Sequence, residues 1–154
     1  SGSLSDNTVD IGKATQRFQD LYLSGGVYLG GTGSANYLSD YENGVFTPTV
    51  TWQSGSPSYV SQGRYTKVGN IVTVRAKIQV TASGGSGIVT IENLPFTAYS
   101  VTQAGCGTER GNTGKSIGVW VDSSTSRLSM RYYDYSDVGA NGDIMVVSAT
   151  YQVA

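Results

Sequence analysis

Residues 71–80 read IVTVRAKIQV. Val72, Val74, Ala76, Ile78 and Val80 alternate with Thr73, Arg75, Lys77 and Gln79, the period-2 pattern of a strand with one buried and one wet face. Immediately upstream, Gly69-Asn70 is a two-residue turn of the kind that joins hairpin strands. Residues 64–68 are therefore predicted to pair back on residues 71–75, with Tyr65 and Lys67 against the partner strand.

Outward from this hairpin, further strands are predicted at 46–52, 87–91, 102–110, 116–121, 127–135 and 144–153, about eight in all. Between them lie turn-forming stretches at 54–58, 84–86, 111–114 and 122–126 and at Asn141-Gly142. Pro48 cannot donate to a ladder, which places 46–52 at a sheet edge or a strand start. The 21 glycines and three prolines, in a chain rich in Val, Thr, Ser and Tyr, favour short strands and tight turns over long helices. The predicted class is all-β, with one core and an antiparallel β-sandwich, jelly-roll-like, from residue 41 onward.

Before residue 41 the composition differs. Apolar residues come in small groups separated by turn signals: Val9 and Ile11, then Phe18, Leu21 and Leu23, then Val27 and Leu29, then Leu38. No group is large enough to close a core against a backbone ordering cost of roughly 1–2 kcal/mol per residue. A flexible linker would be Gly/Ser-rich and would lack Phe, Leu and Tyr. Residues 1–40 are thus read as an association segment in which identical copies supply each other's core, with 41–154 as the folded domain. Ser1-Gly2-Ser3 resembles a scar of tag removal.

Composition narrows the chemistry. A net charge of -1 with no histidine gives none of the positive field that nucleic-acid binding requires. The missing histidine also removes Ser-His catalysis and imidazole zinc sites, and a single cysteine removes an internal disulfide and a thiolate cluster. Cys106, between Gly105 and Gly107, is read as a small buried hydrophobe. No run approaches the roughly 20 apolar residues of a membrane span, so no membrane insertion is expected. No cofactor and no metal are expected, since the Asp-rich stretch 134–143 matches no known calcium-loop spacing.

The run VDIGKATQRFQDLYLSGGVYLGGTGSANYLSDYENGVFTPTV, from Val9 to Val50, closely resembles the junction of many phage tail-fibre and related virion proteins. In those, an RF-DLYLSGGVYLGG stalk element precedes a DYE-G-WTPT motif that opens a C-terminal β-domain. Phe46 stands here where Trp is commoner, keeping an aromatic. The resemblance implies a parallel homotrimer with a short intertwined β stalk and a head presented to the host. It also implies upstream fibre segments and a bacterial cell-surface polysaccharide, lipopolysaccharide or outer-membrane protein as partner. On this reading Val9, Ile11, Phe18, Leu21, Leu23, Val27 and Leu29 form the trimer interface. Many such stalks lead into a self-cleaving chaperone domain with a Ser-Lys pair, but nothing after Tyr41 is similar to it.

Candidate ligand-binding residues are aromatic. Arg131, Tyr133 and Tyr135 would share one strand face, and tyrosine suits stacking on a sugar ring while hydrogen-bonding its hydroxyls. A subunit interface uses the same residue types and stays open. Trp120 would lie opposite Val119 and Val121, exposed or at a contact surface if those two face the core. Trp52 precedes a loop of the kind where binding residues collect. Glu109, Asp122, Asp134, Asp137 and Asp143 supply carboxylates for a glycosidase-like pair, but Asp122 and Asp143 sit at ordinary turn positions. GNTGKS at 111–116 ends like a phosphate loop without its glycine spacing. The expectation is a non-enzymatic, receptor-binding fibre tip; the alternatives are a virion spacer or decoration protein and a small polysaccharide depolymerase.

Overall fold

The computed structural model describes residues 10–153; Val9 and Ser1-Gly2-Ser3 lie outside the described residues. The chain is all-β. Two short strands, β1 (Val27–Tyr28) and β2 (Tyr37–Leu38), form an antiparallel ribbon, joined through a 3-10 turn at Ser34–Asn36. Then come β3 (Tyr41–Phe46), β4 (Thr49–Gly55), β5 (Ser58–Val68), β6 (Ile71–Ala82), β7 (Gly85–Glu92), β8 (Gln103–Glu109), β9 (Ser116–Val121), β10 (Leu128–Tyr132) and β11 (Ile144–Gln152). No helix among the described residues is long and apolar enough to cross a membrane.

These nine strands form one continuous antiparallel sheet in the order β3-β5-β6-β11-β8-β9-β10-β7-β4, where two separate sheets were expected. The predicted central hairpin is present, with Arg64 opposite Arg75 and Val68 opposite Ile71. Gly69 takes a φ of +58°, the left-handed conformation that the first position of a tight hairpin turn demands. The predicted strand 46–52 is split at Thr47-Pro48, and its halves become the two opposite edges of the sheet, β3 and β4. A two-residue link between the first and last strands forces the sheet to curl. Across the seam the Ser61 hydroxyl donates to the Pro48 carbonyl (2.7 Å), and the Val50 N–H donates to the Tyr59 hydroxyl (2.8 Å).

Curling sends every inward side chain into one core. Val72, Val74, Ile78 and Val80 of β6, Met145, Val147 and Tyr151 of β11, and Val119, Met130 and Ile91 of the far strands are all buried. Burial pushes the Tyr151 hydroxyl up to about 12, and the hydroxyl donates to the Phe96 carbonyl (3.2 Å). Where the inward position is glycine, an aromatic on the paired strand covers it: Phe46 lies over Gly63 and Tyr65 over Gly44. The Tyr65 hydroxyl donates to Glu42, and this bond raises its pKa.

β5 begins six residues earlier than the predicted 64, at Ser58. Its inward positions include Ser61, Gly63 and Lys67, so no apolar alternation marks it. β10 ends at Tyr132 because the chain turns there, short of the predicted 135. Cys106 is exposed rather than buried. It faces outward on β8 while its neighbours Gly105 and Gly107 turn inward against Ala149 and Val147.

Residues 10–40 bury almost nothing. Ile11 is 80% exposed, Phe18 68%, Leu21 70%, Leu23 53% and Leu29 58%, while Val27 is 36% exposed on the β1-β2 ribbon. The end of this stretch is fastened to the nine-stranded sheet. The buried Lys67 ammonium makes an ion pair with Asp40 and lies 5.4 Å from the Phe96 ring centre, and the Gly69 N–H donates to the Ser39 carbonyl (3.1 Å). Beside this joint, Tyr41, Val68 and Ile71 sit side by side on adjacent strands, all exposed.

Candidate functional site

At the end of the nine-stranded sheet away from this joint, the β4-β5, β6-β7, β8-β9 and β10-β11 connections converge. Buried carboxylates organise them. Glu109, fully buried at the end of β8, accepts from the backbone N–H groups of Gly111, Asn112 (2.9 Å), Thr113, Gly114 (3.1 Å) and Ile144 (3.2 Å), and from the Thr113 hydroxyl (2.8 Å). The GNTGKS turn is thus a ring of N–H groups that cradles an anion, and the anion is the protein's own. Burial alone would raise the Glu109 pKa, but the N–H groups of Thr113, Asn112 and Ile144 and the Thr113 hydroxyl outweigh it and hold it at about 2.

This depression fixes a pH window. Unfolded, the group titrates near 4.5; folded, near 2. Its contribution, about 3 kcal/mol, is complete above the unfolded value and is lost as pH falls through the folded one. Urea midpoints measured between pH 6 and pH 2 are expected to fall across this window in the native protein and to fall less in Glu109→Gln.

Asp143 plays the same part for the next loop. It is buried, and its Oδ2 accepts from the N–H groups of Gly139 and Ala140 (3.0 Å each) and from the Tyr132 hydroxyl (3.3 Å). Its Oδ1 accepts from the Asn112 amide (2.8 Å), which couples this loop to the one around Glu109. Burial, with the Asp143 charge close by, raises the Tyr132 pKa. Asp137 accepts from the Gly87 N–H (2.8 Å), and Asp122 from the Ser129 hydroxyl (3.1 Å). Asp134 takes the Lys115 ammonium (2.7 Å) and the Ser136 hydroxyl (2.6 Å), and these contacts hold its carboxyl well below the usual range. Each carboxylate named from the sequence therefore has a structural partner. Among the described residues no group of three or more His, Cys, Asp or Glu is placed to hold a metal ion.

The aromatic candidates separate into three places. Tyr133 and Tyr135 lie on the turn after β10 rather than on a strand, 67% and 72% exposed. Arg131, the last outward residue of β10, stacks 4.9 Å over the Tyr135 ring and donates from Nη2 to the Tyr135 carbonyl (3.1 Å). Tyr135 has a φ of +62°, a conformation costly for a bulky residue and held here by the Lys115, Asp134 and Ser136 contacts. Trp120 faces outward, since Val119 and Val121 are buried. It stands in a row of small residues, opposite Ala104 on one side and Ser129 on the other, with Gly118 and Arg131 one step toward the tip.

Trp52 is different. It is only 8% exposed; its indole N–H donates to the Val138 carbonyl (3.0 Å), and its ring lies 5.5 Å from that of Tyr59. Gly85 at the start of β7 and Gly139 in the β10-β11 connection lie against its ring, so those segments cover it and the loop that follows it does not present it. Tyr133, Tyr135 and Arg131 are brought together at the tip; Trp120 shares the outer sheet face with Arg131, and Trp52 packs inside.

No protein-family model matches the chain, and no curated protein matches it.

Proposed function

We propose that this chain is the receptor-facing end of a homotrimeric phage tail fibre, working outside the cell as part of the virion. Residues 1–40 intertwine as a β stalk continuous with upstream fibre segments. Residues 41–154 form a head whose curled sheet serves as a jelly-roll-like sandwich. The head binds a bacterial surface polysaccharide, lipopolysaccharide or outer-membrane protein and carries out no chemistry on it.

The observation that carries this reading is a contrast in burial. The head has a closed core, while Ile11, Phe18, Leu21, Leu23 and Leu29 stand in water beside the exposed row Tyr41, Val68 and Ile71. Apolar surface on this scale marks an association face. Three copies around one axis would cover both the stalk residues and the row at the head's base. Such packing leaves the opposite end free, where Tyr133 and Tyr135 project from a strained turn that the Glu109 and Asp143 loops support.

Binding of the fluorescently tagged protein to a panel of bacterial strains tests the function, and staining of no strain would favour a spacer or decoration protein. Incubation with the capsule of a stained strain is expected to release no shorter sugars; fragments would mean a depolymerase. Tyr135→Gly is expected to leave the melting temperature unchanged or higher, because glycine adopts the positive φ freely, while weakening cell staining. Unchanged staining would remove the turn from the binding surface.

A further inference from the structure

The outward side chains of β5 and β6 form a ladder of paired residues: Gln62 opposite Lys77, Arg64 opposite Arg75, and Thr66 opposite Thr73. Two like charges directly opposite each other destabilise a sheet pair. Here a third cation adjoins them, since Arg75 and Lys77 lie two residues apart on the same face. None of the three makes an ion pair with another described residue, although Lys67, Lys115 and Arg127 all do. No carboxylate is present among the outward residues of the flanking β3 or β11, which offer Asn43 and Val45 on one side and Val146, Ser148 and Thr150 on the other. In a chain whose net charge is -1, this is a local concentration of unneutralised positive charge.

The cations line a hollow. A cavity of about 690 Å³ has Arg64, Arg75, Lys77 and Gln62 at its polar wall and Val45 and Val146 at its apolar one. Smaller hollows adjoin it on both sides, one sharing Gln62 and Lys77, the other sharing Arg64 and Arg75. Together they make a trough along the strands, about 20 Å from Gln79 to Thr73 at the usual rise per residue.

We propose that this trough binds an acidic polysaccharide, a chain of sugars bearing carboxylate or phosphate groups. The inference rests on the receptor-binding reading and names its ligand class. Guanidinium groups match carboxylate and phosphate oxygens in paired, charge-assisted hydrogen bonds, and an anion between Arg64 and Arg75 relieves their repulsion. Val45 and Val146 offer apolar contact to the C–H faces of sugar rings, and Gln62, Gln79, Thr66 and Thr73 offer partners to ring hydroxyls. An elongated trough suits a repeating polymer better than a single small anion. Symmetry sets this face outward, because packing it on a threefold axis would bring three cationic clusters together.

Binding of the full chain to immobilised galacturonate oligosaccharide, phosphorylated mannan and neutral dextran tests the proposal, alongside the double variant Arg64→Gln/Arg75→Gln. The expected result is binding to at least one acidic probe and not to dextran, weakening as salt rises, with a loss of about tenfold or more in the double variant. Both residues are exposed, so the melting temperature of the variant is expected to stay the same or rise. Acidic probes bound no better than dextran, or bound equally by the variant, would overturn the proposal. So would a change in particle mass in the variant, which would make the trough a contact between copies. If the protein stains bacterial cells but neither acidic probe binds, this inference fails and the receptor-binding reading stands; staining of no strain sinks both.

Discussion

Leu23→Asp is expected to reduce the particle from three chains to one in light scattering, with Phe18→Asp giving the same result. Burying a leucine stabilises by about 1.5–3 kcal/mol, and forcing a carboxylate into the same apolar contact costs several kcal/mol more. A threefold arrangement repeats the penalty in every copy, so one substitution removes roughly 10 kcal/mol or more from the assembly. The head should remain folded, because its core of Val72, Ile78, Ile91, Met130 and Tyr151 is complete within one chain. A retained β-sheet circular dichroism signal at one-chain mass separates dissociation from unfolding. Either variant remaining at three chains would contradict the reading of these residues as the association segment.

The second large effect is expected at the tip. Glu109→Ala removes the acceptor for five backbone N–H groups and one hydroxyl, most of them in a single turn. Leaving buried donors without partners costs about 1–3 kcal/mol each, but the turn can open to water and recover part of this. A net loss of about 3–5 kcal/mol is expected, comparable to breaking one side of a buried ion pair, and it corresponds to a melting temperature lower by roughly 10 °C. The damage should spread, since Asn112 links this turn to Asp143 and Lys115 links it to Asp134 and Ser136. Hydrogen exchange is expected to quicken at residues 111–115 and 133–143 well before the central strands. Uniform exchange throughout would contradict the view that Glu109 organises the tip locally.

What the sequence could reveal follows from where each residue's partner lies. β6 is legible from its own residues because each of its alternate positions from Val72 to Val80 is apolar. β5 is only half visible, because Ser61, Gly63 and Lys67 occupy its inward face, and their compensation comes from Pro48, Phe46 and Asp40 on other segments. Pro48 signals an edge or a strand start, and β4 does begin at Thr49 on a sheet edge, but the split of 46–52 into two opposite edges follows only from the pairing of distant strands. The same limit applies to the site. Trp52 could not be recognised as a core residue because the carbonyl that satisfies its indole belongs to Val138, 86 positions away. Glu109 and Asp143 look like available carboxylates until the loops around them are seen. Arg75 and Lys77 are readable as a wet face, whereas Arg64 joins them only through the register of the hairpin. Before residue 41, by contrast, the small apolar groups separated by turn signals already point to side chains without a core, and Ile11, Phe18, Leu21, Leu23 and Leu29 are exposed.

Sedimentation equilibrium of the unaltered protein is expected to give the mass of three chains, with the apolar side chains from Ile11 to Leu29 protected from solvent in that particle. A stable single chain in which those same residues are ordered and buried would contradict the trimeric reading.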